Sequence, residues 1–419
     1  MAVQWKAGNF TLATTDTVSK AVTGVGFQPQ GYMLFTVGLT SATAQRTSST
    51  TIAEGITDGT RQYAQSIGIS DNVTVTTTRR AAQTDRVLYL MNSAGTDIGS
   101  FAHSAFGADG FTISTTTAVS ANVVVYYVAW AGMDNQYLDV FAAPAATGSF
   151  SRTAAGFQPD ALLWMSNQTT TLGVTTIGIR CMGWSLANGT QFAFNTRHAN
   201  SGGTNYSSST AATDRVLIDY DYNGGSNSPE VTITTHDATG FTADRLAGTN
   251  APYIAVMHFD GGAWAAGTTT SQAATGTFGL TTAGVHPEFV MLAASNATTV
   301  SRTTPFEGGN VSLGCATAAA EQFVINHHSF NNEPLNPAVT EEYTRGDATK
   351  AWSYYTRTAA NTYDAAGEIA LSGFISGQVT LDQTDADAGA TLIGWIANGD
   401  VPAASGGVPN SSMLLGCGT

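Results

Sequence analysis

Short apolar runs alternate along the chain with stretches of Gly, Asn, Asp, Ser and Thr, and one of these runs comes back twice. Gly26-Phe27-Gln28-Pro29-Gln30-Gly31-Tyr32-Met33-Leu34-Phe35 returns as Gly156-Phe157-Gln158-Pro159-Asp160-Ala161-Leu162-Leu163-Trp164-Met165. It returns again, with more changes, as Gly284-Val285-His286-Pro287-Glu288-Phe289-Val290-Met291-Leu292-Ala293. The glycines lie 130 and then 128 residues apart, a period of domain size and far longer than a solenoid turn or a propeller blade. Proline cannot donate to a ladder, so a glycine, a proline and then an apolar run predict a turn feeding a buried strand.

Other landmarks recur, the first at a shorter interval and the second on the period. Ser66-Ile67-Gly68-Ile69 is matched by Thr176-Ile177-Gly178-Ile179, and Thr84-Asp85-Arg86-Val87-Leu88 by Thr213-Asp214-Arg215-Val216-Leu217. Copy three has no clean equivalent of the second landmark, Thr356-Arg357 being the nearest. Apolar pairs flank a glycine turn at Phe106 and Phe111, His236 and Phe241, and Phe374 and Val379, which predicts a hairpin. Each copy closes on an aromatic-rich run, Val123 to Gly132, Tyr253 to Gly261 and Thr391 to Gly399. Apolar residues in succession there predict a strand covered on both faces. Each copy also opens on a phenylalanine, Phe10, Phe150 or Phe278, and extra residues around Thr14 to Thr23 of copy one predict a surface loop.

Only Ala316 to Phe323 has helical propensity, and it is short. The expected fold is all-β: three tandem β-sandwich domains of jelly-roll or lectin-like type, each with its own core. They cover residues 1–137, 138–264 and 265–400, the third diverged. Linkers are expected near Asp134 to Thr147 and Gly261 to Thr275, and residues 401–419 read as a C-terminal tail or docking arm.

Length and composition agree with this. The 419 residues suit three units, and 42% hydrophobic with only 11% charged residues favours folding over disorder. A net charge of −14, with no basic cluster beyond Arg79-Arg80, disfavours nucleic acid. No basic segment followed by an apolar one opens the chain, and its longest apolar run, Val123 to Ala131, is under half of the roughly 20 residues a spanning helix needs. A protein made in the cytoplasm, without membrane insertion, is therefore expected. Cys181, Cys315 and Cys417 cannot all pair within one chain and are expected as buried or half-buried free thiols, a bridge involving Cys417 being the alternative.

No HExxH, GxSxG, phosphate loop, EF-hand or paired CxxC is present, so no catalytic, cofactor-binding or metal residue is assigned and no enzyme is expected. His327-His328 with Glu333 is the most metal-like group, but neighbours on a strand point to opposite faces and rarely share an ion. Asp382, Asp385 and Asp387 read as a solvated turn. The Asp85-Arg86 and Asp214-Arg215 pairs read as folding signatures, an Asp capping a turn and an Arg covering an apolar edge. Aromatics can stack on sugar rings, and Tyr206, Trp352, Tyr354 and Tyr355, taken as loop positions, are the candidate partner or ligand contacts together with His327 and His328. For a glycoside hydrolase the carboxylates to consider are Glu230, Asp237, Glu341 and Glu342.

Taken together, Gly-Phe-Gln-Pro with its strand, Ile-Gly-Ile, Thr-Asp-Arg-Val-Leu, Asp-Gly-Phe-Thr-Ile and the closing aromatic strand resemble a repeated β-sandwich of structural proteins of tailed bacteriophages. The resemblance spans all three copies, clear in two and eroded in the third. It implies a non-enzymatic virion component, a tail or neck appendage or a head decoration protein, assembled in the host cytoplasm. Expected partners are other virion proteins, further copies of the chain as a homo-oligomer, and a host surface glycan. The alternatives are a bacterial carbohydrate-binding or adhesive protein, and a glycoside hydrolase or lyase on a lectin-like sandwich.

Overall fold

The computed structural model describes residues 2–46, 50–70, 77–201, 204–220, 227–295, 298, 301–307, 309–330, 341–359 and 362–401. Its strands form six antiparallel sheets, three of seven strands and three of four, with no helix among the described residues. Each sequence copy contributes one large inner sheet and one small outer sheet.

The recurrent run is the strand Gly31–Thr36, Ala161–Ser166 or His286–Ser295 at the middle of each inner sheet. Beside it lies the closing strand, Val123–Ala131, Tyr253–Asp260 or Leu392–Asp400. Side chains alternate across a strand, and both faces are filled. Tyr32 and Leu34 point to the outer sheet with Val125 and Tyr127, while Met33 and Phe35 point the other way with Tyr126, Val128 and Trp130. The predicted hairpins exist in the outer sheets, where Phe111 faces Phe106, Phe241 faces His236 and Val379 faces Phe374.

The Thr-Asp-Arg-Val-Leu landmark earns its place through a glycine. A Cβ on Gly55 would lie 1.9 Å from the Val87 carbonyl oxygen, on Gly183 2.2 Å from that of Val216, and on Gly314 2.0 Å from that of Ala351. The chain entering each outer sheet crosses the inner sheet there in backbone contact. Copy three therefore does have the landmark, as Thr349-Lys350-Ala351-Trp352, with Lys350 bonded to Glu368 as Arg215 is to Glu230. The Ile-Gly-Ile match does not hold. Ile67 to Ile69 end the strand Gln62–Ile69, whereas Gly178 opens Gly178–Leu186, the counterpart of Thr50–Thr57.

Two expected connections are strands instead. The supposed linkers contain Asn135–Ala142 and Ala263–Thr270, the first inner strands of copies two and three, equivalent to Gln4–Leu12. The expected loop at Thr14 to Thr23 contains Ser19–Thr23, an edge strand of the outer sheet.

The polar segment after each central strand carries the feature that closes the molecule. Part of it forms an arm: Thr43–Arg46 in copy one, Gly173–Thr176 in copy two, Ser301–Glu307 in copy three. The copy-two arm pairs with Thr78–Gln83 of copy one, the copy-three arm with Thr204–Ala212 of copy two, and the copy-one arm with Glu341–Asp347 of copy three. Each inner sheet takes its seventh strand from the next copy, and the series returns to its start. The three copies form a ring with pseudo-threefold symmetry.

Inside the ring the inner faces share one core, with Phe35, Trp130, Trp184, Phe194, Phe259, Phe289, Leu313 and Phe323 among its members. Each copy also keeps a smaller cluster between its two sheets. The expectation of three independent cores is thus half right.

Candidate functional site

The residues singled out as contacts lie in strands. Trp352 and Tyr355 are fully buried on Trp352–Ala359, Trp352 inside the copy-three sandwich and Tyr355 donating to Glu368 Oε1 at 2.7 Å under the Arg345 guanidinium. His327 and His328 are buried on Glu321–Phe330. They face opposite ways, His327 toward the ring centre against His198 (4.8 Å between ring centres) and His328 toward the Tyr355 carbonyl oxygen at 3.0 Å. Burial pushes both imidazoles down to about 3. These four residues are fold-forming and offer no surface to a partner. Tyr354 is half-buried, and Tyr206 lies on Thr204–Ala212 with its side chain outside the described residues.

Of the carboxylates weighed for hydrolysis, Glu230 and Asp237 have described side chains, and each is engaged by its neighbours. Glu230 is held by Arg215 at 3.3 Å and Asp237 by the hydroxyls of Thr235 and Thr242, while the side chains of Glu341 and Glu342 lie outside the described residues, as does Glu333. Asp387 belongs to a buried turn rather than a solvated one: its carboxylate binds Ser271, Gly389 and Thr391. Cys181 and Cys315 are buried on equivalent strands, Cys181 in the cluster between the sheets of copy two and Cys315 in the shared core. Cys417 lies outside the described residues.

What the fold does bring together is the set of ring junctions. Trp5 and Trp130, Gln136 and Phe259, and Trp264 and Asn398 are cross-strand partners in copies one, two and three. Between copies, Trp5 Nε1 donates to Asn398 Oδ1 at 2.7 Å, Trp130 Nε1 donates to Gln136 Oε1 at 2.6 Å, and Phe259 packs on Trp264 with ring centres 5.2 Å apart. Two hydrogen bonds and one ring contact do the same job three times around. Trp5 also stacks on Phe289 at 4.1 Å, so aromatic rings fill this end of the ring. The chain passes between copies here: Val3 N donates to Asp400 Oδ1, and Gly132 (φ 81°) leaves no room for a Cβ against the Ala2 carbonyl oxygen.

Elsewhere in the inner faces the symmetry is broken by charge. Glu54 of copy one and Arg180 of copy two form a buried ion pair, and Gln65 Nε2 donates to the other Glu54 oxygen at 2.8 Å. The corresponding inward positions are Met182 and Leu313 for Glu54, and Ile52 and Val311 for Arg180. Nothing in a single sequence marks Glu54 and Arg180 as partners, since they are brought together only when the ring closes.

At the junction of copies one and two a surface cleft of about 730 Å3 opens beside the aromatic end. It is lined by Gln4, Phe27, Gln28, Gln30, Asp58 and Phe106, with Gly132 and Gln136 on its far side. Its framework is fixed: Gln30 exchanges hydrogen bonds with the Met133 backbone, and Asp109 receives the amides of Gly24 and Gly26 to hold the Phe27 turn. Those two amides pull the Asp109 carboxyl below its ordinary value.

No protein-family model and no curated protein matches the chain. Among solved structures, Aeromonas veronii immune modulator A aligns at 11% identity over 54% of this chain and 97% of that one, with a TM-score of 0.10. Salmonella typhi OmpF in complex with daunomycin aligns at 8% identity over 91% and 99%, TM-score 0.12. Pseudomonas aeruginosa OccD3 (OpdP) aligns at 9% identity over 91% and 93%, TM-score 0.09. At such scores the alignments carry no argument about fold or function.

Proposed function

We propose that this chain is a non-enzymatic structural protein of a tailed bacteriophage particle, a tail or neck appendage or a head decoration protein. In this reading it comprises three lectin-like sandwiches that work as one rigid body. The observation that carries it is the arm exchange. Three copies that cap one another's sheets in a closed cycle present three equivalent faces around one axis, the geometry needed to sit on a symmetric assembly. Repeats multiply packing or binding surfaces without requiring a catalytic group in each. Its partners are then other virion proteins and further copies of the chain, and its location is the particle. Mass spectrometry of purified virions tests this: the chain should be present in stoichiometric amount, and its absence from intact particles removes the reading.

A bacterial carbohydrate-binding or adhesive protein is the second reading. The cleft lined by phenylalanine rings and side-chain amides favours it. Genes beside this one for capsid, portal or tail components would decide for the first reading, and genes of polysaccharide metabolism for the second.

A further inference from the structure

We infer that the cleft beside Phe27 binds a neutral oligosaccharide. This deepens the carbohydrate binding of the second reading and the host-glycan contact the sequence led us to expect of the first, and rests on that part of them. Two phenylalanines, Phe27 and Phe106, line the cleft half-buried, packed on the copy-one core and left partly open to the cleft. The side-chain amides of Gln4 and Gln28 are exposed and uncommitted. Amides donate and accept at once, which suits vicinal hydroxyls, and apolar ring faces suit the C–H face of a pyranose.

Charge excludes small cations and anions. Asp58 is the carboxylate of the cleft, with its side chain only 2% exposed, and its oxygens already receive the amides of Thr60, Arg61 and Leu138 and the Arg61 guanidinium. A carboxylate saturated in this way has no lone pair left for a cation. An anion would meet a cleft without an uncommitted positive group on a chain of net charge −14. A neutral, polar ligand with apolar faces remains.

The site belongs to copy one alone. In copy two His236 replaces the second phenylalanine, and the Gln158 amide is spent on the His236 carbonyl oxygen at 2.7 Å. In copy three Val285 replaces the first phenylalanine and is buried, and His286 replaces the glutamine. One binding event per chain is expected.

Isothermal titration with maltohexaose, cellohexaose, laminarihexaose and chitohexaose, and with a proline-rich peptide as the competing ligand class, tests the assignment. At least one hexasaccharide should bind with one site per chain. Gln28→Ala, at an exposed position, should weaken it by about tenfold, the worth of a lost hydrogen-bonded amide, with the unfolding midpoint unchanged. Phe27→Leu should weaken it further. No binding of any hexasaccharide at millimolar concentration, binding untouched by both variants, or preference for the peptide overturns the inference. Particles that contain the chain while the cleft is inert would leave the virion reading standing, and a binding cleft in a chain missing from particles would do the reverse.

Discussion

Burial decides what Glu54 and Arg180 contribute. Desolvating two ions costs several kcal/mol each, which their attraction roughly offsets, so the pair adds little net stability but is costly to break singly. Glu54→Gln or Arg180→Met alone should lose about 3–5 kcal/mol in urea unfolding, and Glu54→Leu with Arg180→Met much less. Additive losses would refute this account. His258 sets a second test. It is fully buried on the closing strand of copy two, and burial lowers its imidazole to about 4. The unfolded chain binds this proton below pH 6.5 and the folded chain only near 4, so the stabilisation is complete above 6.5 and is lost as pH falls through that window. His258 alone should cost about 3 kcal/mol by pH 4, with His327 and His328 adding in the same direction. His258→Gln should shift the acid unfolding midpoint downward, and an unmoved midpoint would show that another group controls it.

At the level of strands, the crossing glycines make the sharpest test. Gly183→Ala drives a methyl into the Val216 carbonyl oxygen and should cost about 1–3 kcal/mol or more by overpacking, whereas Gly373→Ala, with open space around it, should be nearly neutral. Equal midpoints for the two variants in urea would contradict the crossing. Much of the strand layout was legible in the sequence because a two-faced apolar run has few other places to go. The central and closing strands follow from that rule, and the hairpins from their glycine turns. Phe10 shows where sequence matching strays: Lys20, not Phe10, is the strand counterpart of Phe150, yet Phe10 meets Phe111 with ring centres 6.3 Å apart, as Phe150 meets Phe241. The arms were not legible, since Thr43–Arg46 and Gly173–Thr176 are four residues each with Val174 their one large apolar side chain, and gain strand geometry only from a partner elsewhere in the chain. The same cause misplaced the contact aromatics: Trp352 and Tyr355 follow a polar turn and resemble loop residues until their outer-sheet strand packs on the inner sheet of copy three.

At the level of the molecule, the shared core means the copies stand or fall together. Ending the chain near residue 264 would remove Phe289, Met291, Leu313, Phe323 and Ile325 from the centre and take away the strand that Thr43–Arg46 pairs with. Such a fragment should expose apolar surface and aggregate or bind hydrophobic dyes, although sequence reasoning alone expects copies one and two to fold unaided. A monomeric, dye-silent fragment would show that the smaller clusters suffice. The arm exchange also sets a timetable. As the chain leaves the ribosome, copy one lacks its seventh inner strand until Gly173–Thr176 appears, and copy two waits for Ser301–Glu307. Copy three needs no later residue: its missing strand, Thr43–Arg46, has been waiting since early in synthesis, and pairing so distant in sequence is slow to form. Ring closure is therefore expected to be the last step of folding. Until it happens the nascent chain carries two unpaired β edges, Thr43–Arg46 and Glu341–Asp347, the surfaces that chaperones would have to cover.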